Sequence, residues 1–155
     1  MELAELGIKD SSITKSGKEI NGLLSPYIEG GFSDDDIAIE KVEFDKREIR
    51  IKYKVKSFFM PSDGQFHLSS LVAEMCALRA GLIYGHLDNG LSKKENEVYL
   101  LSYSIRCSKP IREMEFGFKM SIVKKIKRNS GSIYKVRFSI GNDNFVGSGS
   151  FFMPI

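Results

Sequence analysis

Between residues 49 and 55 the chain alternates Ile49, Ile51, Tyr53 and Val55 with Arg50, Lys52 and Lys54. A period of two sends successive side chains to opposite faces, so this segment predicts a strand with one buried and one wet face. Just upstream, Ile37, Ile39, Val42 and Phe44 predict a first strand. Its phase slips near Glu40, as a β-bulge would make it do. The polar stretch Asp45-Lys46-Arg47-Glu48 separates the two as a turn.

The pattern then changes period. Residues 66–87, FHLSSLVAEMCALRAGLIYGHL, predict one long helix, which at that length spans about 30 Å. Leu71, Met75, Leu78 and Leu82 form one row at helical spacing, with Leu68, Val72, Cys76 and Ile83 beside it. Apolar residues cover most of the circumference, so burial on all sides is expected. Pro61 and Gly64 punctuate the loop over 57–65, and Asp63 is the expected N-cap or near-cap residue. Asn89-Gly90 ends the helix in the manner of a left-handed cap.

Strands resume at 98–107, and alternate positions mark two more at Phe116, Phe118, Met120, Ile122 and at Tyr134, Val136, Phe138, Ile140. Turns at Arg128-Asn129-Ser130-Gly131 and Gly141-Asn142-Asp143 connect these to a last strand from Phe145 to Phe152, giving a three-strand meander. The first thirty residues predict a short helix over 16–24, closed off before Pro26. With no repeat or linker, residues 1–155 read as a single domain: a 1–30 helical segment, then strands around a 66–88 central helix. One long helix after two strands and before four is the α+β hotdog layout, an antiparallel sheet wrapped around a central helix.

Composition narrows the function classes. At 155 residues and 42% hydrophobic content, the chain can build a core without metals or disulfides. A net charge of +3 is too weak to argue for nucleic acid. No segment has the length of uncharged apolar residues that a membrane span needs, and the N-terminus lacks a signal-peptide pattern. A cytoplasmic protein is therefore expected. Cys76 and Cys107 lack CxxC spacing and read as reduced and structural. His67 and His86 are too few and too far apart for zinc, and neither a phosphate-binding glycine loop nor a GxSxG elbow is present. No metal or cofactor is expected.

The central helix carries the chemistry that remains. His67, Ser70 and Glu74 sit at i, i+3 and i+7, which stacks them on one helical face. A carboxylate within a buried helix either meets a partner, such as Arg79, Arg106 or a second copy, or faces a cavity as an acid or base. The run Lys124-Lys125-Ile126-Lys127-Arg128 reads as a solvated strand end, or as a dock for a nucleotide phosphate or an acidic carrier.

Three segments, Leu24-Ser-Pro-Tyr27, Ser57-Phe-Phe-Met-Pro-Ser-Asp-Gly-Gln-Phe-His67 with its helix, and the Gly-Ser-Gly-Ser-Phe-Phe-Met-Pro tail, together resemble the FcoT-like long-chain acyl-CoA thioesterases. The resemblance covers most of the chain from about Leu23. It implies a hotdog fold, assembly through hotdog dimers or oligomers of dimers, and fatty acyl-CoA or acyl-carrier-protein thioesters as substrates. It also places a functional Tyr at Tyr27, while the family's second Tyr falls on Phe59 and its helix Asn on Cys76. Glu74-Met75 also resembles the helix motif of hotdog hydroxyacyl-carrier dehydratases, whose catalytic His position falls near Met60.

The reading that follows is an acyl-thioester hydrolase with Tyr27, Glu74 and His67 as catalytic groups. Phe58, Phe59, Gly64, Gln65, Phe66, Ser70 and Cys76 would bind substrate, with Met75 beside Phe58 and Phe59 along an acyl tunnel. Backbone N–H groups of Gln65, Phe66 and His67, at the expected helix start, would polarise the thioester carbonyl. The alternatives are a hotdog dehydratase or lyase and a non-catalytic acyl-binding or assembly protein.

Overall fold

The computed structural model describes residues 36–58 and 61–155. The expected helix over 16–24, Tyr27 and Phe59 lie outside the described residues. Six strands and one helix follow in order: β1 (Asp36–Phe44), β2 (Glu48–Ser57), α1 (Ser70–Asp88), β3 (Tyr99–Cys107), β4 (Glu115–Arg128), β5 (Gly131–Ile140) and β6 (Phe145–Pro154). They form one antiparallel sheet in the order β1-β2-β4-β5-β6-β3, with α1 against its inner face. This is the hotdog layout.

Alternation builds that inner face. Ile49, Ile51, Tyr53 and Val55 are buried while the residues between them are exposed or half-exposed. Register carries the rows across the sheet: Ile51 opposes Phe118, which opposes Ile140, which opposes Phe145. Each such apolar side chain contributes about 1.5–3 kcal/mol when fully buried. The phase slip near Glu40 is a register shift between Ile39 and Lys41 in β1. On the outer face Lys52 and Lys54 interleave with Glu40 and Glu115, ion pairs too exposed to contribute much to stability.

The helix differs from the expected one in two ways. It begins at Ser70, not near Phe66, and it is not buried all round. Its buried face is built from Val72, Ala73, Cys76, Ala80, Gly81, Tyr84 and Gly85. Small residues let the helix sit close to β6, where a Cβ on Gly81 would already touch the Phe151 ring at 3.4 Å. The row of large side chains faces outward instead: Leu71, Met75 and Leu78 are 49%, 46% and 39% exposed. Polar bonds hold the helix in place. Tyr53 donates to the Cys76 carbonyl at 2.9 Å, Arg79 to Ile37 O at 2.7 Å, and Tyr84 to Lys46 O at 2.8 Å.

Candidate functional site

Ser69 caps the helix. Its Oγ accepts from Val72 N–H at 3.1 Å and its carbonyl accepts the first helical bond, from Ala73 N–H. A helix start has four N–H groups that no helical carbonyl reaches. After Ser69 has taken one, the N–H groups of Ser70 and Leu71 have no acceptor among the described residues. The chain ahead of the helix is fixed by other means. Asp63 accepts from Gln65 N–H, Gly64 N–H bonds Pro61 O with φ +70°, and Leu68 N–H bonds Ile111 O. Asp63 therefore closes a turn instead of capping the helix, and the expected donor Gln65 N–H is already spent.

A cleft of about 430 Å³ opens at this helix start, lined by His67, Ser69, Ser70, Leu71, Cys107 and Lys109 among others. From it the seam between α1 and β3 runs along Glu74, Ala77, Leu78 and Gly81. There a partly enclosed apolar cavity of about 30 Å³ is lined by Ala77, Leu78, Gly81, Leu100, Tyr103 and Phe138, among others. That volume holds one water-sized group. Glu74 is half-buried and makes no hydrogen bond or ion pair among the described residues, since Arg79 is committed to Ile37 O. Burial, then the nearby Glu74 carboxylate, then Cys107 and Cys76 push the Tyr103 phenol above its ordinary range.

The structure thus brings His67 and Ser70 to one cleft, with Glu74 one turn further along the helix. His67 precedes the helix, so the expected i, i+3, i+7 stack does not form: the tertiary bond from Leu68 to Ile111 holds that stretch extended. Phe58 and Phe66 pack edge to face at 4.9 Å, away from the seam cavity, and Met75 points outward. Gly64 and Gln65 are exposed loop residues. Cys76 is core, its thiol pushed up to about 12 by burial, which removes it as a nucleophile at neutral pH. In the basic run, Lys125 is committed to Asp88 at 2.6 Å.

Sequence reasoning missed Tyr103. The signal for Tyr103 was its alternation with Ser102 and Ser104 ahead of Ile105, which puts a phenol on the buried face of a strand. A larger concavity, about 730 Å³, lies elsewhere, on the outer face of the sheet among Lys41, Arg50, Lys52 and Glu115. Its charges are largely paired with one another, so it does not displace the seam as the candidate. Among the described residues no three His, Cys, Asp or Glu side chains converge on a metal position, and no helix is long and apolar enough to cross a membrane.

No protein-family model matches the chain, and no curated protein matches it in sequence. Solved structures do match. A mutant thioesterase from Pseudomonas aeruginosa aligns at 15% identity and a TM-score of 0.53, over 77% of this chain and 82% of its own. A mutant thioesterase from Staphylococcus aureus aligns at 10% identity and 0.53, over 77% and 93%. A dehydratase heterocomplex from Xenorhabdus doucetiae aligns at 14% identity and 0.55, over 76% and 82%. At these identities the likeness establishes the hotdog fold.

Proposed function

We propose that the chain is an acyl-thioester hydrolase of the hotdog superfamily, acting on a fatty acyl-CoA or acyl-carrier-protein thioester. The observation that carries the reading is the pair of N–H groups at Ser70 and Leu71 with no acceptor among the described residues, on a cleft one turn from Glu74, which has no partner among them either. A helix start concentrates partial positive charge, so the thioester carbonyl oxygen binds there and its developing negative charge is stabilised. Removing one such donor typically costs about 3 kcal/mol of transition-state stabilisation. Glu74 takes a proton from water as the water oxygen bonds the carbonyl carbon. The C–S bond then breaks, and the proton leaves with the thiol. His67 and Ser70 line the cleft beside the carbonyl, and the family resemblance assigns Tyr27 a substrate-orienting role.

The thioesterase neighbours support hydrolysis as the reaction. The replacement of two expected polar groups by Phe59 and Cys76 makes a dehydratase, a lyase and a silent acyl-binding protein the readings to test against. A panel of acyl-CoA and acyl-carrier thioesters read by mass spectrometry reports free acid, loss of water and addition in one experiment. Free acid is the expected product; a retained acyl thioester with no conversion would select the binding reading.

The assembly belongs to the same proposal: a cytoplasmic homodimer in which β3 edges pair and the helix faces meet. Leu71, Met75 and Leu78 on the helix and Tyr99, Leu100 and Leu101 on β3 are all exposed in one copy. An open apolar edge strand invites a partner, and a second copy offers the same patch. Light scattering at micromolar concentration should return twice the mass of 17.5 kDa; a monomer would sink this arrangement.

A further inference from the structure

Among the described residues, the Tyr103 hydroxyl is the buried side-chain polar atom that has no hydrogen-bond partner. The other buried tyrosines each have an acceptor: Tyr53 bonds Cys76 O, Tyr84 bonds Lys46 O, and Tyr134 bonds Asp88. An orphaned buried donor costs about 1–3 kcal/mol, a cost that a phenylalanine in the same place would not carry. The surroundings hold the ring with care. It stacks on Phe138 at 5.6 Å and 12°, and Gly149 lies opposite it in register. Beside it, a Cβ on Gly147 would meet the Phe138 ring at 2.3 Å, so a bare backbone is needed for the stack. The fold therefore goes to some length to place one unsatisfied hydroxyl in an apolar seam.

Its position along that seam gives it a use. The ring lines the partly enclosed cavity with Ala77, Leu78, Gly81 and Phe138, while Glu74 and Cys107 lie on the side toward the helix start. A substrate with its carbonyl at Ser70 and Leu71 and its chain running along α1 toward Ala77 and Leu78 would pass this hydroxyl, about two turns along the helix from Ser70. We propose that Tyr103 is a specificity residue whose O–H donates to an oxygen carried by the acyl chain, selecting hydroxy- or oxoacyl thioesters over plain hydrocarbon chains of equal length. The inference rests on the acyl-thioester reading above. A site holding a buried donor disfavours the analogue that lacks the matching oxygen, because the donor is then left unpaired.

The test compares an acyl-CoA carrying one hydroxyl, placed in turn from C3 to mid-chain, with the saturated acyl-CoA of equal length, in the wild-type protein and in Tyr103→Phe. The wild type should prefer the oxygenated chain, at its best hydroxyl position, by at least about 10-fold in kcat/KM, and Tyr103→Phe should bring that ratio to about one. Its melting temperature should hold or rise, since only an unsatisfied oxygen is removed. Equal use of both chains by the wild type at every hydroxyl position, or a preference that survives in Tyr103→Phe, overturns the proposal and leaves hydrolysis standing. A lower melting temperature with an unchanged preference also overturns it, by showing that the hydroxyl makes a structural bond in the assembled protein. If nothing is hydrolysed, calorimetry with the non-hydrolysable thioether analogues of the two chains gives the same ratio. Absence of binding to either analogue overturns both the hydrolase reading and this inference.

Discussion

The two ends of α1 are treated in opposite ways. At the C-terminal end every conspicuous polar group is matched. Gly90, at φ +71°, lets its own N–H bond Leu87 O and the Leu91 N–H bond His86 O, closing the last turn. His86 donates or accepts at both ring nitrogens, through Leu82 O and Glu95 N–H. Asp88, with a side chain only 5% exposed, receives Lys125 at 2.6 Å and Tyr134 at 2.7 Å. Toward the N-terminal end two N–H groups and the Glu74 carboxylate lack partners among the described residues, and so does the Tyr103 hydroxyl against the middle of the helix. Folding alone favours matching buried groups, because each unmatched one costs free energy; Ser70 and Leu71 are exposed and Glu74 is half-buried, so that cost falls on the Tyr103 hydroxyl. A helix start open to a cleft, with a buried hydroxyl unmatched further along the same seam, presents groups that a ligand can complete.

The sharpest way to break this comparison is Glu74→Gln. The amide keeps the size of the carboxylate and removes its basicity. Turnover should fall by about 10²-fold or more, equivalent to about 2.7 kcal/mol of barrier, with the melting temperature nearly unchanged. If kcat on the acyl-CoA panel stays at the wild-type level, the unmatched carboxylate is scaffold, and the contrast between the two ends loses its functional meaning.

At the matched end the expected effects are on stability. Burial opposes ionisation of Asp88, but the hydrogen bonds from Lys125 and Tyr134 and the charges of Lys125 and Lys46 outweigh it and hold the carboxyl below its usual value. These cations also offset the repulsion between a carboxylate and the negative end of the helix. Asp88→Asn should cost about 1.5–3 kcal/mol at neutral pH, since charge-assisted bonds are lost, while turnover per folded molecule is kept. The sign of the pH dependence follows from the depressed carboxyl. Its contribution is present above the unfolded value of about 3.9 and disappears as pH falls through the lower folded value. Urea midpoints for wild type and variant should therefore differ clearly at pH 7 and converge well below pH 4.

Much of this fold was legible along the chain because its signals are local. Alternation marked β2, β4 and β5, the slip at Glu40 marked the β1 bulge, and Asn89-Gly90 marked the helix end. What was not legible depends on partners distant in sequence. Periodicity shows that Leu71, Met75 and Leu78 share a helix face; it does not say whether that face or the one with Ala73, Cys76 and Ala80 meets the sheet. The pattern of Phe66-His67-Leu68 continues the helix, yet Ile111 O takes the Leu68 N–H and moves the start to Ser70. Position β3 at the far edge, beside β6, is likewise a matter of topology. The site suffered most, because the importance of Tyr103 lies in the acceptor it lacks, and no sequence pattern records that.

The smallest expected effect on stability separates the two roles of the helix start. Ser69→Ala frees the Val72 N–H and should cost about 1 kcal/mol, the usual loss for an N-cap, read as a shift in the urea midpoint. Ser69→Asp restores an acceptor and adds a negative charge that the helix start favours, so it should recover that stability. The same charge lines the cleft where the thioester carbonyl gathers negative charge during attack. There it competes with the oxyanion for the Ser70 and Leu71 N–H groups, and kcat should fall about 10-fold or more while stability returns. Rescue of both stability and turnover by aspartate would show that these N–H groups serve the fold alone, and would move the carbonyl site away from the helix start.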